Sequence, residues 1–330
     1  MEPQTGVNVP EVVQVLAIGD ANVELVFSNI EKIPPANHKV VVPNMVLRPA
    51  GSAANFAICA STLKVKSAFA GTIAVDQFGE VVLKAFRDSA VDTRCLRLLE
   101  RSQTGVTVVL VQNDGKRTSV TYQGTNAQLQ IKDIENCLQT GSSPRWVHLS
   151  GYHILNSLRG QPAISLLQLA RSRGATTSLD PGWDPRGWSE ETISLVKETL
   201  QHVDVFFPNA DEVKVLTGEV NPRKGAEQLL KAGVPALVVK LGAKGCLLIT
   251  KHDQHHIPAF DVEVVDTTAA GDAFNAGFAV SMLSGATMGR AAVFANAVAA
   301  LRISRHSDQP TFPNLQETTA FLMRKRPLET

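Results

Sequence analysis

From Trp146 onward the chain alternates with a regularity that leaves few folds open to it. Short apolar runs read as strands at Trp146 to Leu149, Thr176 to Leu179, Val203 to Phe206 and Ala236 to Lys240. Helical patterns separate or follow them at Pro162 to Arg173, Glu190 to Leu200, Asp211 to Leu216 and Lys224 to Lys231. Apolar strands joined by helices predict a parallel sheet covered on both faces, because each crossover must pack back onto the sheet. Gly245 to Thr250 with Gln254 to Ile257 reads as a hairpin around Lys251-His252-Asp253, and Ala273 to Leu283, Ala291 to Ser304 and Leu315 to Arg324 read as closing helices. The N-terminal half opens in the same style. After a polar tail to about Pro10, Val12 to Ile18 is a strand-like run ending at Gly19-Asp20, with helices expected over Ala53 to Leu63 and Val81 to Ser89.

Two stretches break the alternation. Residues 21–49, with Lys39-Val40-Val41-Val42 between prolines, and Thr104 to Tyr122, with a hairpin turn at Asn113-Asp114-Gly115, carry strand signals without helices. They predict a small sheet, its strands drawn from about 21–49 and 104–123, set as a lid over the strand ends of a single α/β domain spanning 1–330. Ligands of open α/β sheets bind at those ends.

The bulk properties narrow the partners. A chain of 330 residues with 44% hydrophobic content can bury a large core. A formal net charge of +1 with interspersed signs offers no basic face for nucleic acid or a membrane surface, so a small molecule is the expected partner. Cys59, Cys95, Cys137 and Cys246 lack metal or redox spacing and are expected as reduced, buried thiols. The absence of a long apolar run or a signal-like start makes the cytoplasm the expected address.

The stretch Asp266-Thr267-Thr268-Ala269-Ala270-Gly271-Asp272-Ala273-Phe274 carries the most chemistry. Residues this small let backbone N–H groups approach a ligand at a helix start, where donors and dipole both favour a phosphate. Asp272 in the same turn is placed to take a proton from a hydroxyl, or else to cap the helix. Asp20, Asn22 and Glu24 alternate past the first strand and either bind substrate hydroxyls or form a solvated loop. Gly51-Ser52-Ala53-Ala54-Asn55 is a second small-residue helix start, suited to ligand contact or simple capping. Asn209 and Glu212 share one helix face and suit either a water-coated Mg²⁺ or a capping box. Lys240-Leu241-Gly242-Ala243-Lys244-Gly245 suits a phosphate, an adenine or a tight turn. His252, His255 and His256 read as exposed turn histidines. GxGxxG after a strand and GxxxxGK[ST] are both missing.

In this order, "AGSAANFA", "PNADEVKVLTG", "VVKLGAKG" and "DTTAAGDAF" resemble the signatures of the ribokinase-like (PfkB) carbohydrate kinase family, over nearly the whole chain. The resemblance implies a three-layer α/β/α sandwich with a mostly parallel central sheet and a β-sheet lid. It implies transfer of the γ-phosphate of MgATP to a hydroxymethyl group of a sugar or nucleoside. By position, Asp272 becomes the general base, and Ala269, Ala270 and Gly271 with the Asp272 N–H form the anion hole. Asp20, Asn22, Glu24, Gly51, Ser52 and Asn55 meet the sugar. Asn209, Lys240, Gly242, Gly245 and Asn296 line the ATP site, with Asn209 and Glu212 positioning Mg²⁺ through water. Asp266 and the Thr268 carbonyl correspond to a monovalent-cation site, for K⁺, and a homodimer through the lid is implied. Ribose-, fructose- or 2-keto-3-deoxygluconate-type sugars are the expected acceptors; a nucleoside kinase and a non-catalytic ligand-binding relative are the alternatives. The chain departs from the family at Ala269, Glu24, Ala50, Ser52, Ser150 or Gly151, and His306-Ser307-Asp308, which bear on the acceptor and on the cation.

Overall fold

The computed structural model describes residues 13–113, 116–140, 144–305 and 311–325. Its first half runs β1 (Val15–Ile18), β2 (Asn22–Ile30), β3 (Met45–Ala50), α1 (Ser52–Thr62), β4 (Ser67–Ala74), α2 (Gln77–Asp88), β5 (Leu96–Leu99), β6 (Gly105–Gln112), β7 (Arg117–Tyr122) and α3 (Ile131–Thr140). There follow β8 (Trp146–Leu149), α4 (Gln161–Ser172), β9 (Thr176–Leu179), α5 (Glu190–Leu200), β10 (Val205–Phe206), α6 (Ala210–Thr217), α7 (Pro222–Lys231) and β11 (Ala236–Lys240). The hairpin β12 (Cys246–Thr250) and β13 (Gln254–Ile257) and the helices α8 (Ala270–Leu283), α9 (Met288–Ile303) and α10 (Leu315–Lys325) complete the chain.

Among the described residues nine strands form the central sheet in the order β13-β12-β11-β10-β9-β8-β1-β4-β5, parallel from β11 to β5 and antiparallel at the β11–β12 and β12–β13 pairs. Its inner strands β1, β4 and β8 are buried on both faces, and β1 shows why layers form on each side. Val15 and Ala17 pack with Phe56, Phe207 and Phe278 on one face, while Leu16 and Ile18 pack with Leu149, Phe206 and Leu237 on the other. That is period-2 alternation between two cores. Truncating one of those phenylalanines to alanine costs about 3–5 kcal/mol, since such cores do not close over a ring-sized void.

The second sheet has four strands ordered β3-β2-β6-β7, with β2 and β6 parallel and the other pairs antiparallel. Val23 and Val109 turn inward, whereas Met45, Leu47, Val120 and Tyr122 are exposed on it. Only Gly19-Asp20-Ala21 separates β1 from β2, so the lid begins at the strand end where a ligand would sit.

Several expectations need correction. Lys39 to Val42 is not a strand; the chain reaches the lid at Met45 instead, and Lys39 to Val41 are exposed. The buried strand β4 and the helix α3 were not foreseen: β4 reads SAFAGTIA, whose small residues carry no clear strand pattern. The thiol expectation also fails in part. Cys95, just ahead of β5, and Cys137 of α3 are joined in a disulfide with Cα atoms 5.6 Å apart, whereas Cys59 and Cys246 are buried and free. Val12, Asp114, Gly115 and His306-Ser307-Asp308 lie outside the described residues.

Candidate active site

The polar groups converge at the carboxyl ends of the central strands. Asp20 follows β1, Asp180 follows β9, Asn209 follows β10 and Lys240 ends β11. An isolated parallel bridge between Asn209 and Lys240, with Lys240 N–H donating to the Pro208 carbonyl at 2.8 Å, locks the last two side by side. The starts of α1 and α8 face the same region.

Helix α8 begins at Ala270, three residues earlier than the pattern indicated, so Asp272 stands in its first turn rather than capping it. The N-cap is Ala269, held in the left-handed region at φ 57°, a conformation that costs a residue with a Cβ about 1 kcal/mol or more. That turn leaves the Gly271 and Asp272 N–H groups with no carbonyl inside the helix, while Ala270 N–H leans on the Thr267 carbonyl at 3.3 Å. A side chain on Gly271 would stand 3.5 Å from Lys240 Nζ, which measures how near the ammonium lies to this helix start. Helix dipole, free amides and a lysine together make an anion pocket.

Asp272 lies at the pocket's edge, where Asn55 Nδ2 donates to its Oδ2 at 2.8 Å. Burial, and then the charge of Asp180, push its pKa up to about 8, against the Asn55 hydrogen bond and the Lys240 charge. Lys240 Nζ donates to Asp180 Oδ2 at 2.5 Å and Asn275 Nδ2 to the same oxygen at 2.6 Å. Burial opposes the Asp180 charge, but Lys240 and Asn275 more than offset it and hold that carboxyl below its ordinary value. Glu212, also buried and also facing Asp180, is pushed up to about 7. Three carboxylates thus share one ammonium, an excess of negative charge that a divalent cation would relieve.

The capping box between Asn209 and Glu212 is formed. Glu212 N–H donates to Asn209 Oδ1 at 2.9 Å, and Asn209 N–H and Nδ2 donate to the two Glu212 carboxylate oxygens at 2.8 Å each. Among the described residues no cluster of His, Cys, Asp and Glu would cage a metal alone. The donor set fits Mg²⁺ held at the rim through water and substrate phosphates.

Beside the anion pocket lies a cavity of about 620 Å³, reached by Asn209, Lys240, Gly242, Gly245 and Asn296 and walled by apolar side chains such as Val262 and Ile303. Its volume is that of a nucleotide-sized site. Gly245 sits at φ 86°, and any Cβ there would fall 2.1 Å from the Ile257 carbonyl, so this wall requires glycine. Asn296 Nδ2 donates to the Ile257 and Pro258 carbonyls at 3.2 and 3.0 Å, holding the same backbone segment that Gly245 packs against.

On the acceptor side, Asp20 Oδ1 accepts the Ala53 N–H at 3.2 Å and its carbonyl the Ala54 N–H at 3.2 Å, so it also serves the start of α1. Gly51 is at φ 105°, where a Cβ would meet the Asp20 carbonyl at 2.5 Å. Asn22 Nδ2 donates to Thr107 Oγ1 at 3.0 Å while its Oδ1 is buried without a partner. Ser52 opens α1. Glu24 is already engaged: Arg48, across the strand pair, donates to Glu24 Oε2 through Nε at 3.0 Å and Nη2 at 2.9 Å. Ser150 Oγ is buried without a partner, and a Cβ on Gly151 would lie 2.4 Å from Asp20 Oδ1, so no acidic side chain reaches the acceptor from that loop.

The monovalent-cation expectation does not fit. Asp266 Oδ1 accepts the Thr268 N–H at 2.9 Å and the Thr268 hydroxyl at 2.7 Å. Asp266 Oδ2 accepts Arg48 Nη1 at 2.7 Å and Arg302 Nη2 at 3.1 Å. A carboxylate offers about four lone-pair sites, and all are taken. Sequence reasoning missed Arg48, Arg302, Asn275 and Asp180; only Asp180 carried a signal, a polar residue just past a buried strand, as at Asp20.

Comparison with known proteins gives the family and the fold. The model of the pfkB family of carbohydrate kinases matches residues 13–315. The chain is 29% identical to a ribokinase of Haemophilus influenzae, over 82% of this chain and 86% of that one. It is 28% identical to an ATP-dependent ribose-1-phosphate kinase of Halopiger xanaduensis, over 94% and 98%. Among solved structures, a ribokinase from Thermotoga maritima superposes with a TM-score of 0.81 at 26% identity, covering 94% of this chain and 99% of that one.

Proposed function

The chain belongs to the pfkB family of carbohydrate kinases and is a sugar phosphotransferase, and within that family we propose that it moves the γ-phosphate of ATP to a primary hydroxyl of a small sugar. The observation that carries this is Asp272: a carboxylate pushed up to about 8, beside unpaired helix N–H groups and the Lys240 ammonium. A base is most effective when its pKa lies near the working pH. In the transfer, Asp272 takes the hydroxyl proton as that oxygen bonds to the γ-phosphorus, and the bond from phosphorus to the bridging oxygen breaks to release ADP. The Gly271 and Asp272 N–H groups meet the charge on the moving phosphoryl oxygens, and the 620 Å³ cavity takes the nucleoside end. Asn209 and Glu212 would hold Mg²⁺ through water, and the ion would neutralise charge on the phosphates.

Asp20, Asn22 and Asn55 are the groups left to hold the acceptor, because Glu24 is tied to Arg48 and the loop at Ser150-Gly151 offers no carboxylate. The exposed apolar residues of the lid, Met45, Leu47, Val120 and Tyr122, support a homodimer formed through it.

The test is Asp272→Asn assayed with MgATP against ribose, fructose, 2-keto-3-deoxygluconate, ribose 1-phosphate and nucleosides. Turnover on the best acceptor is expected to fall about 10²- to 10⁴-fold while a non-hydrolysable ATP analogue still binds. Wild-type turnover in the variant would remove Asp272 as the base.

A further inference from the structure

Arg48 joins two parts of the molecule that the sequence separates by 218 residues. It sits on lid strand β3 opposite Glu24 of β2, and its guanidinium grips both Glu24 and Asp266, the residue that sets the loop ahead of the anion pocket. Arg302 reaches the same Asp266 oxygen from α9, with its side chain only 4% exposed. Arg117 of β7 also approaches Asp266 Oδ1, at 3.9 Å, so two carboxylates face three guanidiniums, and the four hydrogen bonds to Asp266 leave it no lone pair for an ion. Its other oxygen binds Thr268 immediately before the left-handed turn at Ala269 that aims the free N–H groups.

We propose that Arg48 and Arg302 do in this chain what a free monovalent cation would do beside the phosphate pocket, and that Arg48 is a positioning residue tying the lid to the anion-binding loop. A planar fork with several donors holds two carboxylates at once, which an atomic ion or a lysine ammonium does without fixed direction. Being part of the chain, it also makes the pocket indifferent to the salt. The proposal rests on the reading that the Gly271 and Asp272 N–H groups hold the γ-phosphate.

The experiment compares wild type, Arg48→Met and Arg48→Lys in potassium chloride and in tetramethylammonium chloride at equal ionic strength. It reads calorimetric affinity for the magnesium complex of a non-hydrolysable ATP analogue, together with kcat and KM on the best acceptor. Wild-type affinity and turnover are expected to agree within about twofold in the two salts. Arg48→Met is expected to lose about tenfold in kcat or analogue affinity in tetramethylammonium and to recover most of it with potassium or guanidinium chloride. Arg48→Lys should fall between, with a weaker response to potassium. Stimulation of wild type about tenfold by potassium, or an Arg48→Met protein indistinguishable from wild type in both salts, overturns the proposal. Should Arg48→Met fail to fold by near-ultraviolet circular dichroism, the wild-type salt comparison and Arg48→Lys still decide. Analogue binding reads this proposal even if Asp272→Asn retains turnover, which would sink only the base assignment. No analogue binding by wild type would sink the phosphate pocket and this proposal together.

Discussion

At Asp272 the surroundings that make the carboxylate chemically useful also make it destabilising. Its pKa is about 8 in the fold against an ordinary 3.8, so between those values the native state keeps a proton that the unfolded chain releases. With more protons bound in the native state, stability from this group falls as pH rises through that window and levels off above it. Asp272→Asn, which keeps an acceptor for Asn55, is therefore expected to melt higher than wild type near pH 8 without nucleotide, by several degrees. The gap should close near pH 4; a variant melting lower at pH 8 would contradict the burial account. In the wild type, kcat/KM should rise about tenfold per pH unit toward pH 8 as the base ionises. Asp266 has the opposite sign. Hydrogen bonds from Thr268 and Arg48 outweigh its burial and depress its pKa well below the ordinary value, so its contribution is present above that value and lost as pH falls toward the depressed one.

Elements were legible where one period dominates a segment. Strands β8, β9, β11 and β13 and helix α5 have the bounds that their patterns indicate, because buried parallel strands and amphipathic helices announce themselves locally. Strand β4 escaped because its alanines and glycine show no alternation, and Lys39 to Val42 misled because a β-branched run without partners stays exposed. The Cys95–Cys137 bridge escaped for another reason: it depends on α3 crossing to β5, and it closes a separation of 42 residues. A loop that long is worth about 4 kcal/mol in the chain-entropy account. Dithiothreitol or Cys95→Ser should then lower Tm by several degrees without changing KM, because β5 lies at the sheet edge far from the β9–β11 strand ends. An unchanged Tm once both thiols react with a thiol reagent would show that the bridge contributes nothing.

For the whole molecule, the lid presents exposed Met45, Leu47, Val120 and Tyr122 with β3 and β7 as its edges. Unpaired edges beside apolar residues favour pairing with a second copy. Sedimentation is expected to show a dimer at micromolar concentration that Leu47→Glu with Val120→Glu converts to monomer; a wild-type monomer at that concentration removes the lid interface. The sequence by itself determined the strand and helix order from Trp146 onward, the presence of a small second sheet and the small-residue helix start, all of which rest on local period, residue size and backbone donors. Only the tertiary structure decided the charges. Asp180 meets Lys240 across 60 residues and Asn55 meets Asp272 across 217. The Asn209–Glu212 pair closed as a cap, and Asp266 was claimed by arginines from two distant elements. Electrostatic partners are set by distance and burial in the folded chain, and neither quantity is written in the spacing of residues along it.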